Sequence, residues 1–165
     1  MANVAARAAA KTVDRLTSPG GLNDNIAAVA ELEQTPLSEL AVRQIIPLHV
    51  APEVIEQAFA VHYPAVHVYV ERVSNLLREK FRTFSGKAHV VIETRVTQDR
   101  LEGIQRRLQL YVDAVTRVVD QRRGDWGDGM FYTGGYEVEL GPVKHGGRNF
   151  IQSAKVSYQI ETSLE

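Results

Sequence analysis

The sequence predicts an α+β fold: an antiparallel four-stranded sheet with one long amphipathic helix packed across it, preceded by an N-terminal helical and irregular region. Three observations carry this prediction. Residues 97–122 place Leu101, Ile104, Leu108, Tyr111, Val112, Val115, Val118 and Val119 at helical steps, forming one apolar stripe at about 3.6 residues per turn. Segments of period two lie on both sides of it, at 65–72 and 87–96 before and at 131–141 and 149–162 after. Paired strands around a single helix, rather than strict β-α alternation, belong to the α+β class. One sheet face is then apolar against the helix and the other polar and open to contact.

Taken in order, residues 2–17 read as a helix on alanine propensity, with a thin stripe of Val4, Ala8, Val13 and Leu16. Such a segment is either a frayed end or an arm that orders against a partner. The alanine-rich start is interrupted by Arg7 and Lys11 and is not read as a signal peptide. Ser18-Pro19-Gly20-Gly21 breaks the chain. Asn23 then caps a second short helix that buries Ile26, Val29, Ala30 and Leu32. Pro36, Pro47 and Pro52 punctuate an extended connection, and Pro52 suits the first position of a short helix carrying Val54, Ile55, Ala58 and Phe59.

The first strand, 65–72, turns Val66, Val68 and Val70 to one face and His67, Tyr69 and Glu71 to the other. Residues 74–85 form an excursion between strands, with Leu76, Leu77, Phe81 and Phe84 among basic residues. The second strand precedes the long helix directly. Thr97 is its expected N-cap and Gly124 its stop, for a length of roughly 39 Å at 1.5 Å per residue. Asp125-Trp126-Gly127-Asp128-Gly129 is a loop, the third strand kinks at Gly134-Gly135, and the fourth has the cleanest alternation in the chain. The whole divides into an N-terminal region, 1–60, read as a candidate assembly arm, and an α+β core, 61–165.

Composition narrows the function. A chain of 165 residues with 44% hydrophobic residues can bury one ordinary core. It has no cysteine, hence no disulfide and no thiolate-bound metal, which fits a reducing cytoplasm. No apolar run reaches membrane-spanning length, so no membrane is expected among its partners. The five histidines are His49, His62, His67, His89 and His145, and none pairs with another at a ligand spacing on a helix face. His67 and His89 can meet across two strands on the polar face, but two histidines without a third ligand make no metal site, so they are read as surface residues. The 125–129 loop lacks the carboxylates of a calcium loop, and no helix follows Gly146-Gly147 to hold a phosphate. No catalytic residue, metal or cofactor is therefore expected. A small α+β enzyme or ligand-binding domain built on His67 and His89 is the rival reading.

Charge is segregated although the net charge is only −1. Residues 21–60 carry Asp24, Glu31, Glu33, Glu39, Glu53 and Glu56 against Arg43 alone, whereas 72–107 carry nine bases against four acids. A near-neutral total favours a protein partner over nucleic acid for the basic run.

The stretches HYPAVHVYVERVSNLLREKFRTFSGKAHVVIETRV, QDRLEGIQRRLQLYVDAVTRVV and RGDWGDGMFYTGGYEVELGPVKHGGRNFIQSAKVSYQIE resemble the tail-terminator (tail-completion) proteins of long-tailed bacteriophages. The resemblance spans residues 62–162 and leaves 1–60 outside it. It implies an antiparallel sheet carrying a long helix. It also implies a homo-oligomeric, hexameric ring at the head-proximal end of the tail tube, made in the bacterial cytoplasm and found in the virion at the head–tail junction. Such a ring ends tube growth and joins the tail tube protein to the head–tail connector proteins, while DNA passes through its lumen without being read. A head-side adaptor or stopper of the same junction is the neighbouring possibility.

A ring interface joins two different patches of one chain. Glu31 and Glu33 on the acidic side and Arg106 and Arg107 on the basic side are the candidate pair. Trp126, the single tryptophan, is a further candidate contact, because aromatic anchors are enriched at interface cores.

Overall fold

The computed structural model describes residues 3–49, 54 and 61–165. Among these the chain runs through helices α1 (Val4–Thr17) and α2 (Leu22–Leu32), a 3-10 turn (Val42–Gln44), strands β1 (Ile45–Ile46), β2 (Ala65–Asn75) and β3 (Phe84–Gln98), and helix α3 (Ile104–Gln121). Strands β4 (Gly124–Gly127), β5 (Met130–Tyr132), β6 (Tyr136–Leu140), β7 (Lys144–Gly146) and β8 (Asn149–Leu164) complete it.

The sheet is not the expected four-stranded antiparallel one. It has eight strands in the order β1-β2-β3-β8-β5-β4, with β6 and β7 also paired to β8, and it is mixed, because β1 runs parallel to β2. Nor does one long helix cover it alone, since α1, α2 and α3 share the core. Each difference has a local cause. β1 is two residues long, too short for any alternation to show in the sequence. The 125–129 stretch is a hairpin rather than a loop. Asp128 and Gly129 sit at φ 54° and 72°, both left-handed, as a tight hairpin turn between right-twisted strands requires. A Cβ on Gly129 would lie 1.9 Å from the Ser163 carbonyl oxygen, so no larger residue fits there. The expected third strand is interrupted at Gly134-Gly135 and becomes β5 and β6.

Helix α3 starts at Ile104 instead of Thr97. β3 claims that segment, pairing Val96, Thr97 and Gln98 with Gln152, Ile151 and Phe150. Gly103, at φ 81°, marks the turn into the helix, and no side chain caps it. The helix is 18 residues, about 27 Å, and Leu101 falls outside it on the surface. The rest of the predicted stripe, Ile104 through Val119, is buried. It packs on Ala88, Val90, Ile92, Ala154, Val156 and Ile160 of β3 and β8, in one cluster.

The described part of the 1–60 region belongs to this same cluster. Val4, Ala8, Leu16, Leu22 and Ile26 are buried in it. Thr12 Oγ1 and the Tyr158 hydroxyl share a hydrogen bond of 2.6 Å between α1 and β8. Asn23 does not cap α2, whose N-cap is Gly21. Its amide instead clamps Leu40, donating to the carbonyl and accepting from the N–H at 2.8 Å each. Leu32, expected in the core, is exposed because α2 ends there. The short helix expected from Pro52 through Phe59 lies outside the described residues, apart from the exposed Val54.

Leu108 is fully buried between α3 and the sheet. Leu108→Ala is expected to lower stability by roughly 2–5 kcal/mol, the range for large-to-small core changes. Chemical denaturation of the two proteins checks this, and unchanged midpoints would contradict the packing.

Candidate functional site

Where β2 and β3 leave the helical face, the opposite face is polar, as the alternation predicts. His67, Tyr69, Glu93 and Arg95 share it, with His67 directly opposite Glu93 in the antiparallel ladder. All four are buried. Arg95 donates from Nε to Glu93 Oε1 at 3.1 Å, and its Nη2 lies 3.1 Å from the same oxygen. The Tyr69 hydroxyl donates to Glu93 Oε2 at 3.2 Å. The His49 ring stacks on Tyr69 with centroids 4.0 Å apart and planes nearly parallel. Both carboxylate oxygens are thus engaged, which is what lets the acid stay buried. Burial and the neighbouring carboxylate push the Tyr69 hydroxyl's pKa well up. Burial, then the Arg95 charge, press His67 down from 6.5 to about 4 against the opposing pull of Glu93. His67 is therefore a neutral core histidine and not the surface residue expected from sequence.

His89 does not join this group. It pairs with Arg72, four residues along β3 from Glu93 and so about 13 Å from the His67 position. Its Nε2 lies 3.1 Å from Arg72 Nη2, and burial followed by that guanidinium lowers its pKa. The two histidines of the enzyme reading thus occupy separate sites. Among the described residues no three His, Asp or Glu side chains stand close enough to hold a metal ion, and no helix is long and apolar enough to cross a membrane. Past His89 the polar face opens into a trough of about 790 Å³. Its walls mix Glu71, Glu137, Glu139 and Glu161 with Arg72, Lys87 and Lys155, the pattern of a solvated face rather than a pocket for one charged ligand.

The candidate interface residues fall in three places. Arg106 reaches Glu33 at 3.5 Å within the same chain, joining α3 to the end of α2. Arg107 donates to the Thr97 carbonyl at 3.2 Å and lies over the Tyr111 ring. Glu31 is exposed on α2. Trp126 sits in the chain's own core, where its Nε1 donates to the Arg122 carbonyl at 2.6 Å. It packs against Tyr132 and Tyr158 at centroid distances of 5.8 and 6.2 Å, with the Arg15 guanidinium 5.5 Å above the ring. Only 6% of it remains accessible to a neighbouring chain.

The surface that the sequence reading passed over is β6. Every residue of this strand is exposed. It pairs with β8 along one edge, while among the described residues its other edge carries no strand. The register sets Tyr136, Val138 and Leu140 opposite Tyr158, Val156 and Ala154, so the three share the helical face of the sheet but extend beyond its cover. They remain 37%, 43% and 44% exposed. Glu137 and Glu139 turn to the trough side. Gly134-Gly135 and Gly141-Pro142 bracket the strand in the sequence, but nothing local to it marks its apolar residues as uncovered. A second passed-over surface is the β2–β3 connection, where Leu76, Leu77 and Phe81 are exposed, Phe81 completely.

No protein-family model matches the chain, and no curated protein sequence matches it significantly.

The buried His67 makes stability depend on pH. The unfolded chain takes up a proton below about pH 6.5, whereas the folded chain resists until about pH 4. Stability is therefore full above 6.5 and falls across that window, by an amount on the order of 3 kcal/mol. Denaturation midpoints measured from pH 7.5 to 4 are expected to fall less steeply in His67→Gln than in the native chain. Equal slopes would place the titrating group elsewhere.

Proposed function

We propose that this chain is a ring-forming structural protein of a tailed bacteriophage, of the tail-terminator type. Six copies close the head-proximal end of the tail tube, stop its growth and present a surface to the head–tail connector, with DNA passing through the lumen unread. The observation that carries this reading is β6, an exposed strand with an apolar stripe and, among the described residues, a free backbone edge. Natural sheets protect such edges or use them, because they template pairing with another chain. The resemblance over residues 62–162 supports the same reading. The separation of His67 from His89 weakens the enzyme or ligand-binding alternative. Placement on the head side, as an adaptor or stopper, is the outcome to be distinguished.

The test mixes the purified chain with tail tubes and with head connectors and images both by electron microscopy. Rings seated on one end of the tubes are expected. Binding to connectors alone would make the protein a head-side adaptor. Neither rings nor binding to tubes or connectors would overturn the structural reading.

A further inference from the structure

Two exposed apolar patches of opposite charge lie far apart on the subunit. One is the stripe of β6, flanked by Glu137 and Glu139. The other is the tip of the β2–β3 hairpin, residues 76–83, where Phe81 stands free of the fold beside Arg78 and Lys80. Arg82, by contrast, is held by Glu79 and Glu165 at 3.3 and 2.9 Å. The tip is fastened to the end of β8, where the Thr83 N–H donates to the Leu164 carbonyl at 3.0 Å. β6 lies along Ala154–Tyr158 of that strand. The six residues from Tyr158 to Leu164 separate the patches by about 20 Å, so a subunit's own tip does not reach its own β6.

We propose that the hairpin tip of one copy docks on the β6 edge of the next, Phe81 covering the Tyr136–Val138–Leu140 stripe and Arg78 with Lys80 facing Glu137 and Glu139. This rests on the reading of the chain as a self-assembling subunit and names its contact. Each patch supplies what the other lacks: apolar cover for apolar surface, and a cation for an anion. The acids and the stripe lie on opposite faces of β6, but at a free edge both flank the same line of backbone, and a protruding tip meets both together. Because the patches differ and sit at different places, the contact is head-to-tail, the kind that continues from copy to copy until it closes. Opposite charges also steer the two into register. Such an arrangement puts the joint on β6 and the tip and leaves the Arg106–Glu33 pair inside each subunit.

The experiment uses two variants of the full chain. Phe81→Asp alters a side chain that is fully exposed. Val138→Lys alters the middle of the stripe, and the double change Glu137→Lys with Glu139→Lys replaces it if that variant melts early. By sedimentation velocity, each variant alone is expected to self-associate at least tenfold more weakly than the native chain. An equimolar mixture of the two is expected to form a 1:1 heterodimer and nothing larger, because only one tip and one edge in each pair are intact. A native chain that stays monomeric, variants that assemble as the native chain does, or a mixture that stays monomeric would each overturn the contact. So would a monomeric native chain whose Phe81 is needed instead to retain a DNA oligonucleotide. Native rings that survive both substitutions sink this contact and leave the tail-end reading standing. Cross-complementing variants derived from a chain that never engages tubes or connectors do the reverse.

Discussion

The structure depends on the two-sided ladder of β8. This strand of 16 residues pairs with β3 from Phe150 to Leu164 on one edge and with β5, β6 and β7 in succession on the other. Its alternation then does two jobs. Ala154, Val156, Tyr158 and Ile160 are buried in the core, while Lys155, Ser157, Gln159 and Glu161 line the trough. A slip of one residue would exchange those two sets, so the apolar pattern pins the register of every strand attached to β8. The free edge of β6 follows from the same arrangement. β8 already has β3 on one side, β6 lies along the other, and among the described residues no further strand pairs with β6.

The second constraint is the union of α1 with this ladder. Tyr158 meets Thr12 through a hydrogen bond and Tyr132 and Trp126 through ring contacts. Lys11 reaches over the same corner, donating to the Trp126 carbonyl at 2.8 Å and pairing with Asp128 at 2.9 Å. An N-terminal segment with a thin stripe thus becomes part of the core, because small alanines let α1 approach the sheet closely. Tertiary packing, rather than length or propensity, decides the fate of so weak a helix. With α1 and Trp126 used internally, β6 and the hairpin tip are among the exposed apolar surfaces of the described residues.

What the sequence made legible follows physical signal strength. Long periodic segments were readable, so α1, the body of α3 and the cores of β2, β3 and β8 stand where alternation and helical spacing place them. Short elements were not: β1, β4 and β7 hold too few residues for a period, and the Asp128-Gly129 turn was taken as a loop although its residues are those of a tight hairpin. Thr97 looked like a helix cap because a capping hydroxyl and a β-branched strand residue are the same side chain, and only the pairing with Ile151 decides between them. At the candidate site, the alternation correctly sent His67 and Glu93 to the polar face, but burial of that face near β1 comes from chain brought in from elsewhere and leaves no local trace. The apolar residues of β6 were indistinguishable from core residues, since exposure at an edge depends on what the rest of the chain fails to cover.

The central proposal is that copies of this chain join through β6 and the hairpin tip, and that assembly closes these two surfaces. Hydrogen–deuterium exchange measures it most directly, on dilute monomer and on the assembled protein. In an edge strand alternate amides point away from the ladder. In the monomer, the account predicts slow exchange throughout β8 and fast exchange at the outward amides of residues 136–140 and at 76–83. On assembly, those two segments should gain protection together while α1 and α2 stay unchanged. Protection gained on α1 and α2, with β6 and the tip still exchanging freely, would contradict it.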